Sequence, residues 1–174
     1  SAGGGGRGMQ IVKNDEELRK VLPILKQEAL SFFGNSDIYV EKFIDSPRHI
    51  EIQVMCDTHG NFLHLYERDC SVQRRNQKVI EEALAPDISE DNKNKLYKIC
   101  TDAMSRMGYL GLGTLEFLYS DGNFYFMEMN TRIQVEHPIT EMITRVDLVR
   151  EQICIAHGDK IFTNQENIKP LGHS

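Results

Sequence analysis

No apolar run in this chain approaches the ~20 residues that a membrane-spanning helix requires, and nothing at its start has the basic-then-apolar character of a secretion signal. The expectation is therefore a cytoplasmic protein, or one of an organelle matrix, with no membrane partner. Cysteine is sparse and scattered. Cys56, Cys70, Cys100 and Cys154 contain no Cys-x-x-Cys pair and no His stands at zinc spacing, so they read as reduced, mostly core thiols and argue against a zinc site. Basic residues are in deficit, 20 Lys and Arg against 26 Asp and Glu, and the net charge of −6 argues against a nucleic-acid partner, whose affinity rests on phosphate neutralisation. The basic residues present are expected to serve a small anion. There is neither an internal repeat nor a low-complexity linker. What remains is 40% apolar content over 174 residues, enough to bury roughly two thirds of the surface in one sizeable core or two small lobes.

The glycine run ahead of Met9 is compatible with a flexible linker, but it feeds a strand-like Met9–Val12, and successive backbone N–H groups in such a run can wrap phosphate oxygens, with Arg7 adding charge. Asn14-Asp-Glu-Glu17 has the pattern of a capping box before a helix to about Phe33, stopped by Gly34 and kinked or split at Pro23. Strands are expected at Ile38–Phe43, His49–Val54, Phe62–Arg68 and around Lys78–Ile80. A helix from about Ser89 to Met107 places Leu96, Ile99, Cys100, Ala103 and Met107 on one stripe; a short helix opens at Pro138, and a last one runs from about Asp147 to His157. Helices inserted between antiparallel strands give an α+β class.

Chemistry concentrates in Glu128-Met-Asn-Thr-Arg-Ile-Gln-Val-Glu-His137. In an extended backbone Glu128, Asn130, Arg132, Gln134 and Glu136 form one polar row. The preceding hairpin, turning at Asp121-Gly122, carries Glu116. A two-residue turn pairs position 116 with 127, so facing Glu116 with Glu128 demands a three-residue loop or a bulge. Opposed carboxylates repel, and with Asn130 they form an all-oxygen set suited to Mg²⁺ or Mn²⁺.

The chain resembles the biotin carboxylase component of biotin-dependent carboxylases, in the ATP-grasp superfamily. The resemblance rests on Gly3–Met9, Glu41–Ile44, Pro47–Gln53, Glu67–Lys78 with Glu81–Ala83, Gly113–Phe117 and Glu128–Met142, which span nearly the whole chain in order. It implies an ATP-grasp fold in which residues 1–43 belong to a glycine-rich lid and residues 44–174 to the main subdomain, both parts of a longer chain. By the same resemblance ATP meets Gly5, Gly6, Glu41, Lys42, Ile44, His49, Gln73, Asn76 and Leu118, while Glu116, Glu128 and Asn130 hold magnesium or manganese. Lys78, Arg132, Gln134 and Val135 would cradle bicarbonate, and Glu136 would remove its proton. Biotin on a carboxyl carrier protein is the implied acceptor, with a carboxyltransferase as a further partner in a homo-oligomeric parent.

Asn76 stands where many members have His, and an amide cannot carry charge. The family's paired ATP-binding lysines would precede the glycine loop and its biotin-site arginine would follow Ser174, so the segment alone is expected to show little turnover. Arg74 and Arg75 are read as a charge pair, and His59, His64 and His137 as structural or exposed. The other readings are a bicarbonate-using ATP-grasp ligase of the carbamoyl phosphate synthase or purine-synthesis kind, and a non-catalytic nucleotide-binding module. Acetyl-CoA, propionyl-CoA, pyruvate or urea would all share the half-reaction.

Overall fold

The computed structural model describes residues 8–174. It divides into two compact units, one taking in the chain up to Asp45 together with Gln73–Gln77, the other Ser46–Val72 and Lys78–Ser174. In the first, α1 (Asp15–Phe33) starts where the Asn14 side chain accepts from the Glu17 N–H at 2.9 Å, and it ends at Gly34, whose left-handed φ of 69° lets its N–H reach the Leu30 carbonyl. Glu17 reaches back to the Lys13 N–H at 2.9 Å, completing a reciprocal cap one residue earlier than the usual partner. Pro23 does not split α1. Proline removes a single N–H, and the turns on either side keep their own bonds.

Two expected strands of this unit are absent. Residues 9–12 and 38–43 carry no strand ladder, and Met9, Ile11, Tyr39, Val40 and Phe43 are exposed. Apolar alternation makes a strand only where a neighbouring strand accepts its hydrogen bonds, and among the described residues none is paired with these segments.

The sheet is formed by β1 (Arg48–Cys56), β2 (Phe62–Arg74), β3 (Gln77–Glu82), β4 (Gly111–Ser120) and β5 (Asn123–Asn130), in the order β3-β2-β1-β4-β5. The β1–β2, β1–β4 and β4–β5 pairs are antiparallel. Arg75 and Asn76, at φ 53° and 60°, are the left-handed corner of the β2–β3 hairpin. Asn tolerates that conformation better than most residues, which is a conformational reason for an amide at position 76.

Helices α2 (Glu90–Met107), α3 (His137–Thr144) and α4 (Leu148–His157) complete the unit. Ile52, Val54, Leu115 and Phe117 on one sheet face pack with Leu96, Tyr97, Cys100 and Met104 of α2. The buried stripe of α2 is thus Lys93, Leu96, Tyr97, Cys100 and Met104, while Ile99 and Met107 are each 61% exposed. The expected stripe was rotated toward Ile99 because a sequence pattern counts Tyr97 and Lys93 as less apolar than they behave once their polar tips are paired. Tyr97 Oη donates to Glu67 Oε2, and Lys93 Nζ lies 2.9 Å from Glu67 Oε1. On the opposite face Met55, Leu63, Leu65 and Leu112 pack with Leu148 and Ile155 of α4. All four cysteines are free thiols.

His64 on β2 stacks on Tyr97 with ring centroids 4.0 Å apart, and burial pushes its pKa down to about 4 from 6.5. The unfolded chain therefore binds the proton more readily. The neutral ring's contribution is fully present above pH 6.5 and is lost as pH falls from 6.5 toward 4. Urea titrations at pH 7 and pH 5 should differ by about 1–2 kcal/mol from this group, after discounting for partial exposure, and His64→Phe, which keeps the stack, should flatten that slope.

Candidate functional site

The end of the sheet face left uncovered by α4 is polar, and alternation explains its membership. His49, Glu51 and Gln53 of β1 lie on one side of that strand, opposite Leu118, Glu116 and Thr114 of β4. Two bulges bring in the neighbouring strands. On β2 an extra residue sits between the Ile52–Glu67 and Val54–His64 pairs, where Tyr66 has a φ of 66°. Its hydroxyl donates to the Ile168 carbonyl at 2.7 Å, which anchors the strained residue. The bulge turns Arg68 to the polar face opposite Glu51, and Glu67 to the helix face.

On β5 the turn is the two-residue form, Asp121-Gly122, and pairing runs Ser120–Asn123 to Phe117–Phe126 before shifting to Glu116–Glu128. A bulge at Met127 therefore faces the two carboxylates, the second of the two routes the sequence leaves open. Asn130, opposite Thr114, donates to Glu116 Oε1 at 2.8 Å and Glu128 Oε1 at 3.4 Å. The extended polar row ends there. Thr131 and Arg132 form a bend, Val135 and Glu136 a turn, and α3 begins at His137. A strand would have sent Gln134 and Glu136 away from β1. The turn brings both back over it.

Lys78 Nζ donates to Glu51 Oε2 at 2.5 Å, to Glu116 Oε1 at 3.3 Å and to Glu136 Oε1. Gln134 Nε2 donates to Glu116 Oε1 at 2.7 Å, and His49 Nε2 lies 2.8 Å from Glu116 Oε2. Arg68, with no exposed surface, donates through Nε to Glu51 Oε1 at 2.5 Å and through Nη1 to Gln53 Oε1 and Thr140 Oγ1, each at 2.9 Å. Burial raises the cost of charge on Glu116, but the His49 hydrogen bond, the Lys78 charge and the Gln134 amide overcome it and bring its pKa down to about 2. Glu51 is likewise lowered, with burial opposed by Arg68 and Lys78. Burial works against the charged form of Lys78, yet Glu51, Glu136 and Glu116 raise its pKa. These shifts hold Glu51 and Glu116 as carboxylates and Lys78 as an ammonium at neutral pH.

Glu116, Glu128 and Asn130 offer hard oxygen donors on adjacent strands, and Glu116 is held as the anion, so they fit a magnesium-class ion. An Asn amide is assigned from its neighbours, and its oxygen can replace its nitrogen toward a cation. Two other donor sets among the described residues, His49/Glu51/Glu116 and Glu51/Cys70/Glu136, each converge within 4.8 Å. Both surround Lys78, whose ammonium is already their cation.

Of the other sequence-derived candidates, Leu118 is on β4 opposite His49 and Tyr125. Arg132 is exposed and donates to the neighbouring Ile133 carbonyl at 3.2 Å, and Val135 is 93% exposed. Glu41, Lys42, Ile44, Gln73 and Asn76 belong to the other unit. Gly5 and Gly6 lie outside the described residues. Sequence reasoning assigned no role to Glu51, Arg68 or Thr140. The alternation of His49, Glu51 and Gln53 was a signal for the first; Arg68 carried none without the Tyr66 bulge.

Residues 1–163 match the family model of the carbamoyl-phosphate synthase L chain, ATP binding domain. The chain is 55% identical over 174 residues to a biotin carboxylase of Haemophilus influenzae, covering all of this chain and 39% of that protein. It is 53% identical over 175 residues to chloroplastic biotin carboxylase 2 of Populus trichocarpa, covering all of this chain and 33% of that one. Among solved structures it superposes with TM-score 0.94 at 48% identity on the biotin carboxylase domain of Hydrogenobacter thermophilus 2-oxoglutarate carboxylase, covering 99% of this chain and 38% of that one. That domain was solved as a dimer with MgADP, ADP and bicarbonate. A biotin carboxylase from Campylobacter jejuni, solved as a β,γ-ATP complex, matches with TM-score 0.94 at 46% identity, covering 99% of this chain and 39% of that one. The chain thus spans about two fifths of the bacterial relatives it matches.

Proposed function

The chain belongs to the carbamoyl-phosphate synthase L chain ATP-binding domain family, as a segment of the biotin carboxylase kind with an α+β ATP-grasp fold, and from that premise we propose that its polar sheet face binds MgATP and bicarbonate. The parent enzyme would phosphorylate bicarbonate to carboxyphosphate and deliver its CO₂ to biotin on a carrier protein. The observation that carries this reading is the juxtaposition of a cation-suited set, Glu116, Glu128 and Asn130, with an anion-suited set, Lys78 and the Gln134 amide, both meeting at Glu116.

Lys78 contributes a point charge and Gln134 a remaining N–H for a small oxyanion, with Arg132 as a planar fork at the exposed rim. Glu136 faces the Lys78 ammonium, so an anion held by Lys78 lies within its reach. A carboxylate there can accept the bicarbonate proton as the anion's oxygen attacks the γ-phosphorus of ATP. Glu116, Glu128 and Asn130 would hold the magnesium, which when bound neutralises charge on the transferring phosphoryl group; manganese suits the same oxygens. His49, Leu118, Gln73, Asn76, Glu41, Lys42, Ile44 and the glycines Gly5 and Gly6 are assigned to the nucleotide, and residues 1–43 to its lid. The parent is read as a homo-oligomeric cytoplasmic or organelle-matrix ligase working with a carrier protein and a carboxyltransferase, and the segment alone as inactive.

The test is phosphate release from MgATP by an intact carboxylase carrying this segment, with bicarbonate and biotin each omitted in turn. Release that requires bicarbonate and rises with biotin supports the reading. MgATP binding with no bicarbonate-dependent cleavage would instead mark a nucleotide-binding module.

A further inference from the structure

Arg68 lies behind the two halves of this site, reaching the anion-suited set at Gln134 and bonding directly to none of Glu116, Glu128 and Asn130. It is fully buried, and its guanidinium bonds to groups from β1, β4, the loop after β5, and α3. On one side it fixes Glu51, whose other oxygen holds Lys78 at 2.5 Å. On the other, Nη2 lies 3.4 Å from Gln134 Oε1, while Gln134 Nε2 donates to Glu116. A guanidinium only donates and a carboxylate only accepts, so the Gln134 amide between them has one permitted orientation, oxygen toward Arg68 and nitrogen toward Glu116. Thr140 of α3, also fully buried, accepts from Nη1 at 2.9 Å and holds the fork in plane.

We infer that Arg68 is a positioning residue for the oxyanion pocket, setting the Lys78 ammonium through Glu51 and the Gln134 N–H groups directly, with Thr140 as its anchor. The inference rests on the bicarbonate reading above. An Arg fork is required because five donors in fixed geometry serve Glu51, Gln53, Thr114, Thr140 and Gln134 together; lysine keeps the charge but cannot span them. Its effect should fall mainly on the anion, since it reaches the metal set only at second hand, through the Gln134 and Lys78 contacts to Glu116, and not at Glu128 or Asn130.

The experiment is steady-state kinetics of an intact carboxylase carrying this segment, comparing wild type with Arg68→Lys and Thr140→Val. Arg68→Lys should raise the bicarbonate KM at least about tenfold with the MgATP KM changed less than about threefold. Thr140→Val, near-isosteric and remote from substrate, should raise the bicarbonate KM about threefold with kcat held, and it carries the test if Arg68→Lys fails to fold. Equal rises in both KM values, or a bicarbonate KM unchanged in a folded variant, would overturn the assignment. Wild type that cleaves ATP without bicarbonate would overturn the site reading itself, and this assignment with it.

Discussion

Glu136→Gln in an intact carboxylase carrying this segment is expected to lower kcat for bicarbonate-dependent ATP cleavage by about 10²- to 10⁴-fold, the range a positioned general base supplies. The amide has the size and shape of the carboxylate, so packing at the start of α3 should persist. It cannot accept the bicarbonate proton. Glu136 contributes nothing to the Glu116, Glu128 and Asn130 set, so the MgATP KM should hold within a few-fold. Initial rates at saturating MgATP, with a separate nucleotide titration, check both halves. A variant retaining wild-type kcat would remove Glu136 from the base role.

Lys78→Met should abolish measurable bicarbonate dependence and destabilise the fold as well. The ammonium contacts three carboxylates, Glu51, Glu116 and Glu136. Removing it leaves Arg68, among the described residues, as the remaining guanidinium or ammonium bonded within this cluster, through Glu51. Breaking one partner out of a buried ion cluster costs about 3–5 kcal/mol when fully desolvated, and on the order of 2–3 kcal/mol for this partly exposed lysine. The sign with pH follows from the raised pKa of Lys78. Its stabilisation is fully present below the unfolded value of 10.5 and declines only as pH rises through the higher folded value, so the loss in Lys78→Met should be constant across neutral pH. Denaturant midpoints at pH 6 to 9 and the bicarbonate dependence of phosphate release measure the two effects independently.

The parts of this molecule that depend on near neighbours were legible in its sequence. The caps at Asn14, Ser89 and Asp147 and the left-handed stops at Gly34, Gly108 and Gly158 lie where short-range chemistry puts them. The facing of Glu116 and Glu128 was reachable by parity, because a two-residue turn leaves only a bulge to achieve it. Features set by distant partners were hidden. Residues 38–43 alternate like a strand yet carry no ladder, because pairing belongs to two segments and not to one. The row past Asn130 alternates too, but a bend and a turn curl it back so that Gln134 and Glu136 meet Lys78 and Glu116. The Tyr66 bulge has no glycine or Asx residue to announce it, being held by an aromatic contact and a hydroxyl bond to Ile168 over a hundred positions away. With it went Arg68, whose place in the site depends on that one extra residue. The family resemblance offered ligand roles as expectations, but not the buried Arg68–Glu51–Lys78 chain of contacts.

If the facing carboxylates and Asn130 form a magnesium-nucleotide site continuous with the Lys78 cluster, ATP binding must depend on magnesium and on Glu128. Calorimetric titration of ATP into an intact carboxylase carrying this segment, with and without magnesium and in wild type and Glu128→Gln, tests it most directly. Magnesium-dependent binding that weakens at least about tenfold in Glu128→Gln, as expected when a charged ligand to a divalent cation becomes neutral, is the predicted result. ATP affinity indifferent to magnesium, or a magnesium response unchanged in Glu128→Gln, would contradict it.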